Sequence, residues 1–213
     1  MKKSDNTPLI EIDRILTPST STMIDRYVYA NHWTKGKTVI DAACGQGYGS
    51  MILFSLGATS VTGIDIDESA ISDANNRWKS DNISFHNHNI FELTSIFENK
   101  SFDVATSIET FEHLPPDLID SYLQQLKLIT REKILITTPK RKTKNWEYNG
   151  GTHLYEYDDR EFRKILFRNF GEKFEINYIS EIQLPQGQWG TDITSDISLT
   201  YPPHIIFFAE VTL

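Results

Sequence analysis

The sequence predicts an α/β protein built on a mostly parallel sheet with helices on both faces, and three observations carry that prediction. Short apolar runs rich in β-branched residues alternate with stretches of helical periodicity, five times in succession from residue 38. The first run ends in a glycine-rich turn, which lets backbone approach a ligand. At 213 residues, with no repeat, low-complexity tract or linker, the chain has room for one such domain, residues 38–213, and a short helical appendage or lid at 1–37.

Each element follows from local pattern. Residues 17–22 form a Pro/Ser/Thr loop, after which Met23, Ile24, Tyr27 and Val28 fall at helical spacing. Residues 38–42 make a short buried strand, and 48–56 a helix stopped by Gly57. A second strand spans 61–65, and Asp67 is placed to cap a helix running to Trp78. Residues 83–86 and 103–107 are the third and fourth strands. Pro115-Pro116 opens a helix that lines Leu118, Ile119, Tyr122, Leu123, Leu126 and Ile129 along one face. A fifth strand at 133–137 leads through a basic loop to a helix at 158–167. Residues 174–182 and 204–212 close the chain as a hairpin-like pair around a long loop, for seven strands in all.

Composition excludes several functions. The chain is 39% hydrophobic with 12 Phe, 9 Tyr and 4 Trp, enough to fill a core. A net charge of −8 makes it a poor generic polyanion binder, so no nucleic-acid partner is expected. The single cysteine, Cys44, forbids an intrachain disulfide and a multi-Cys zinc site. The longest apolar run, 205–209, falls far short of the roughly 20 residues that span a bilayer. No signal-peptide core follows the first residues, so a cytoplasmic location without a membrane partner is expected, as a monomer or homodimer. His86 and His88 put two imidazoles on one strand face without further ligands, and no metal centre is expected.

The most informative stretch is Asp41-Ala-Ala43-Cys44-Gly45-Gln-Gly47-Tyr48-Gly49-Ser50. A G-x-G-x-G string alone is a weak signal. Asp65, however, ends the second strand 20 positions after Gly45, where a carboxylate can accept both ribose hydroxyls of a nucleoside. Ser50 stands where a dinucleotide fingerprint wants Gly or Ala, so the turn fits a nucleoside better than a pyrophosphate and counts against a nicotinamide oxidoreductase.

From about Arg26 to Phe167 the chain resembles class I S-adenosylmethionine-dependent methyltransferases, in the branch whose first motif reads D-x-A-C-G-x-G-Y-G. Asp41–Gly49 matches that motif, and Val61-Thr-Gly-Ile-Asp65-Ile-Asp67 is similar to the second. Phe102 to Leu114, ending in Glu112-His113-Leu114, resembles the fourth-strand motif. The fifth strand with Thr138-Pro139, and the segment His153–Phe162, are similar to later family segments. The resemblance implies a Rossmann-like seven-stranded sheet with the last strand antiparallel. It implies S-adenosylmethionine as cofactor and S-adenosylhomocysteine as product. Gly45 and Gly47 would pass under the methionine portion, with Asp41 orienting the turn from behind. Asp65 would hold the ribose and Ile66 would pack on the adenine. Asn89 and Ile90 would meet the adenine edge, where the family more often has Asp, and Ile108 would meet the amino-acid portion.

Methyl transfer is an in-line displacement in which the protein mainly aligns the acceptor; a base is needed only if the acceptor loses a proton. His113, after the fourth strand, leads as candidate catalytic base, with Glu109 and His153 behind it. The basic run Lys140-Arg141-Lys142-Thr143-Lys144, followed by Trp146, Tyr148 and Tyr155, suggests an anionic or sugar-nucleotide acceptor. A nucleic-acid methyltransferase would want an Asp/Asn/Ser-Pro-Pro-aromatic string where this chain has Ser107-Ile-Glu109-Thr110, or a Pro-Cys nucleophile that it lacks. The expected activity is methyl transfer to a small molecule, at a hydroxyl of a sugar or related metabolite. Transfer to nitrogen, or cofactor binding without turnover, are the alternatives.

Overall fold

The computed structural model describes residues 18–141, 151–183, 189–194 and 204–213. Among these residues eight strands form one sheet: β1 (Thr38–Ala42), β2 (Ser60–Asp65), β3 (Ile83–Asn87), β4 (Phe102–Ile108), β5 (Thr130–Pro139), β6 (Phe174–Gln183), β7 (Trp189–Thr194) and β8 (His204–Thr212). Their order across the sheet is β3-β2-β1-β4-β5-β8-β6-β7. β1 to β5 run parallel, β8 lies antiparallel between β5 and β6, and β7 pairs antiparallel with β6 at the edge. The seven expected strands are present, and the segment expected as a plain loop adds an eighth. Trp, Thr and Ile in β7 suit a strand. Pro185, Gly187 and Gly190 around it read as loop punctuation and hide it in the sequence.

Among the described residues five α-helices cover the sheet: α1 (Pro18–Thr34), α2 (Tyr48–Ser55), α3 (Glu68–Trp78), α4 (Ile119–Ile129) and α5 (Asp159–Phe170). Strand pleating sends successive side chains to opposite faces. Val39, Val104, Leu135 and Phe208 thus pack with α1, α2 and α3 on one face. Ile40, Ala105, Ile134, Ile136 and Phe207 pack with α4 and α5 on the other. Burial on both faces is what a central parallel strand requires. No helix among the described residues is long and apolar enough to cross a membrane.

Helix ends follow their capping chemistry, with two departures from expectation. Asp67 caps α3 by accepting from the N–H groups of Ser69 and Ala70. Asp158 and Glu161 form a reciprocal capping box at α5. α1 begins at Pro18, so residues 18–22 are its first turns and not a loop; proline is pre-set for the first helical position. α4 begins at Ile119, leaving Leu118 outside the apolar stripe and 39% exposed.

Asp41, at the end of β1, positions the turn that follows. Its fully buried carboxylate accepts from Ser50 Oγ of α2 and Thr106 Oγ1 of β4, each at 2.7 Å, and from the Tyr27 hydroxyl of α1. Burial raises its pKa to about 6, against the three hydroxyl bonds that lower it; the Asp65 charge raises it further. The hydroxyl end of the Tyr27 ring also packs against α2, where a Cβ on Gly49 would come within 1.9 Å of it.

Gly49→Ala overpacks a ring that Asp41 holds in place, and lowers stability by about 1–3 kcal/mol in urea unfolding. An unchanged midpoint would show that Tyr27 is free to yield. Asp41 keeps its proton, when folded, at pH values where the unfolded chain has lost it. Its contribution to stability is therefore undiminished below about 4, falls as pH rises to about 6, and is level above. The stability of wild type relative to Asp41→Asn should drop by roughly 3 kcal/mol between pH 4 and 7. A difference that is flat with pH refutes it.

Candidate active site

The turn between β1 and α2 follows a backbone path of positive φ, 62° at Ala43, 53° at Gly45 and 77° at Gly47. Cys44 N–H donates to the Ile64 carbonyl at 2.9 Å. Gly45 N–H donates to Asp65 Oδ2 at 2.7 Å, and Asp67 N–H to Asp65 Oδ1 at 2.9 Å. One carboxylate therefore joins the turn to the end of β2. The two glycines serve different needs. A Cβ on Gly45 would meet nothing within 4 Å, so that position opens toward a ligand. A Cβ on Gly47 would fall 2.5 Å from the Phe85 ring, so the protein's own packing demands glycine there. Cys44 is buried over Gly63, and burial together with the Asp41 and Asp65 charges pushes its thiol far up, away from nucleophile chemistry.

Ile66 follows Asp65 and is 72% exposed, a large apolar side chain offered to solvent beside the carboxylate. Asn87 Nδ2 donates to the carbonyls of Asp65 and Ile66 at 3.1 and 2.8 Å and fixes their path. Asn89 Oδ1 accepts from Phe91 N–H at 3.0 Å and caps the short 3-10 helix Ile90–Ser95. The side chains of Ile90 and Ile108 are buried in the two cores, which leaves chiefly their backbone for a ligand.

The ends of β4 and β5 carry the titratable groups. Glu109 takes a positive φ of 52°, a strained backbone for a non-glycine residue. Its N–H donates to the Thr137 carbonyl and hydroxyl, and its Oε1 accepts from Thr137 Oγ1 at 2.8 Å and faces Arg26 Nε at 3.7 Å. Glu112 is fully buried. Its Oε2 accepts from Thr138 Oγ1 at 2.9 Å, while Oε1 has no hydrogen-bond partner and lies 3.9 Å from His113 Nε2. Burial, and then the Glu109 charge, push its carboxyl up to about 9. His113 Nδ1 lies 2.9 Å from the Thr152 carbonyl, and His153 Nδ1 lies 2.9 Å from Glu156 Oε1. The two rings meet edge to face with centroids 5.1 Å apart. The Glu112 carbonyl accepts from the N–H groups of Leu154 and Tyr155, which docks that segment on the end of β4.

The structure thus brings His113 and His153 together across 40 positions of sequence, with Glu109 on the same strand end. Sequence reasoning reaches these three but not Glu112, Glu156 or Arg26. The spacing Glu109-x-x-Glu112-His113 is the signal available for Glu112; nothing in the sequence marks the other two. Arg141 leaves the basic patch. Its guanidinium pairs with Asp158 and Glu161 at 2.9 and 3.0 Å and bonds the Tyr155 hydroxyl. Lys142, Thr143, Lys144, Trp146 and Tyr148 lie outside the described residues.

Comparison with known proteins agrees with this geometry. The family model described as a methyltransferase domain matches residues 33–181. The ubiquinone biosynthesis O-methyltransferase of Coxiella burnetii (strain RSA 493 / Nine Mile phase I) is 28% identical over 159 residues, covering 72% of this chain and 57% of that protein. The chain therefore spans little more than half the length of such curated relatives. Among solved structures, an S-adenosylmethionine-dependent methyltransferase from Archaeoglobus fulgidus superposes with a TM-score of 0.66 at 15% identity, covering 91% of this chain and 94% of that one. Magnesium protoporphyrin IX methyltransferase from Synechocystis PCC 6803 superposes with a TM-score of 0.62 at 16% identity, covering 95% and 84%. The chain belongs to the methyltransferase-domain family, on the class I S-adenosylmethionine-dependent fold.

Proposed function

We propose that the chain transfers a methyl group from S-adenosylmethionine to a hydroxyl oxygen of a small molecule, a sugar or related polyhydroxylated metabolite. The observation that carries this reading is the Gly45–Asp65 contact beside a Cβ-free opening. Asp65 has one lone pair on each oxygen engaged by backbone N–H, which fixes its plane and leaves acceptor capacity for ribose hydroxyls. Ile66 is exposed where an adenine would cover it, and the Asn89 amide and the Ile90 backbone lie at the next turn. Gly45 opens the space for the methionine portion, Gly47 and Asp41 hold the turn, and Ile108 closes it from β4. When bound, the cofactor supplies an electrophilic methyl group on a sulfonium.

The remaining work falls to the chain's own side chains. The Thr152 carbonyl accepts from His113 Nδ1–H, so Nε2 keeps its lone pair toward the site and can take a proton from an acceptor hydroxyl. Glu156 fixes His153 in the same tautomer. Glu109 is tied to Thr137 and Arg26 and positions the end of β4. The Coxiella relative is named an O-methyltransferase, which favours oxygen over nitrogen. The cofactor choice is supported by the Synechocystis structure, which holds bound S-adenosylmethionine. Arg141 is committed to Asp158 and Glu161, which takes one cation out of the basic run and favours a neutral polyol as acceptor.

Calorimetry with S-adenosylmethionine tests the cofactor assignment: wild type binds, and Asp65→Ala weakens binding by roughly 10–100-fold, the worth of charge-assisted hydrogen bonds. Undiminished binding would refute it. Turnover with cofactor carrying a 13C-labelled methyl group, against a panel of sugars, phenols and amines, should give an O-methyl carbon signal. His113→Ala should lower kcat by about 10²–10⁴-fold with cofactor affinity kept.

A further inference from the structure

Glu112 and His113 are neighbours in the short 3-10 helix Phe111–His113, His153 reaches them from a segment 40 positions further on, and each of the three offers one ligand atom. Those three atoms lie within 4.8 Å of one another. In both histidines the other ring nitrogen is already engaged, Nδ1 of His113 with the Thr152 carbonyl and Nδ1 of His153 with Glu156 Oε1, both at 2.9 Å. A carbonyl or carboxylate behind Nδ1 is the arrangement that orients metal-ligating imidazoles and leaves Nε2 as the donor. The third atom is the unusual one. Glu112 Oε1 belongs to a side chain 1% exposed, has no hydrogen-bond partner, and faces His113 Nε2 at 3.9 Å. A buried carboxyl oxygen without a hydrogen-bond partner is costly, and its lone pairs are open to a ligand.

We propose that Glu112, His113 and His153 form a binding site for one divalent transition-metal ion at the acceptor end of the active site. Two imidazole nitrogens and one carboxylate oxygen suit a Zn2+-class ion and not Mg2+, which wants an all-oxygen shell. Ligand atoms around Zn2+ stand roughly 3.4 Å apart, from bonds of about 2.1 Å in a tetrahedron, so small rotations close the site. Three protein ligands leave a coordination position open. On the methyltransferase reading, on which this role rests, that position would take the acceptor's hydroxyl oxygen; the ion would lower that hydroxyl's pKa so that its proton passes to solvent, and His113 Nε2 would then serve as ligand where the metal-free protein uses it as base. His86 and His88, the histidines that stand out in the sequence, are not part of this cluster; they bond to Ser84 on the one hand and to Ser95 and the Glu92 carbonyl on the other.

The test is a Zn2+ titration of chelator-treated full chain by calorimetry, with Co2+ absorption as a second probe of the ligand set. Wild type should bind one Zn2+ per chain, far more tightly than Mg2+. His153→Ala, at a half-exposed position, and Glu112→Gln, which keeps the shape, should each weaken binding by about tenfold or more and change the Co2+ bands. The double variant His86→Ala/His88→Ala should bind as wild type does. No Zn2+ binding, equal affinity for Mg2+, binding that survives both ligand variants, or binding lost with His86 and His88 would each overturn the site. S-adenosylmethionine calorimetry on the same samples separates the two readings. Cofactor binding without Zn2+ binding refutes the metal site alone. Zn2+ binding without cofactor binding refutes the methyltransferase reading alone.

Discussion

The site depends on one buried carboxylate. Asp41 sits where β1 ends and gathers hydroxyls from α1, α2 and β4 onto a single side chain. Burying a carboxylate is expensive, and the three hydroxyl bonds only partly offset that cost. The compensation is positional. Ser50 fixes the first turn of α2, Thr106 fixes the register of the neighbouring strand, and Tyr27 draws α1 against both. The backbone between Ala42 and Tyr48 is then free to take its three positive φ values, because both ends are pinned.

Asp65 plays a complementary part in front of the turn. Gly45 and Asp67 both donate to it, so the turn, the end of β2 and the start of α3 move as one piece. Across the sheet a second such piece forms at β4 and β5. Glu109 and Thr137 lock the two strand ends together, and the Glu112 carbonyl takes two N–H groups from the segment that carries His153. Thr110 Oγ1, 3.5 Å from the Ala42 carbonyl, lies between the two pieces. The result places a nucleoside-shaped cradle and a cluster of ionisable groups on adjacent strands of one sheet edge, which is where open α/β sheets take their ligands.

Much of this was legible in the sequence because it is local. The apolar period of α4, the Asp67 cap, the five parallel strands and the glycine turn each declare themselves within a dozen residues. What stayed hidden depends on partners distant in sequence. Gly47 is glycine because of Phe85, and Gly49 because of Tyr27, neither of which is a neighbour along the chain. The pairing of β7 with β6 overrode the glycines and proline that marked a loop. His113 was legible as a motif residue, but its tautomer is set by a carbonyl 39 positions away, and Glu112 gained importance only once its second oxygen proved to have no donor.

That oxygen stands apart from the other carboxylates at this edge. A sulfonium loses its positive charge as its methyl group leaves, so a bare anion close by would stabilise the ground state more than the transition state and slow the reaction. The protein answers three acidic groups at this edge with its own donors. Asp41 has three hydroxyls, Asp65 two backbone N–H groups, and Glu109 a threonine and an arginine. Glu112 Oε1 alone among them is buried without a hydrogen-bond partner. Burial keeps the Glu112 carboxyl from standing as a bare anion, and its Oε1, beside two imidazoles whose Nδ1 atoms are already engaged, is left open to a ligand from outside the chain.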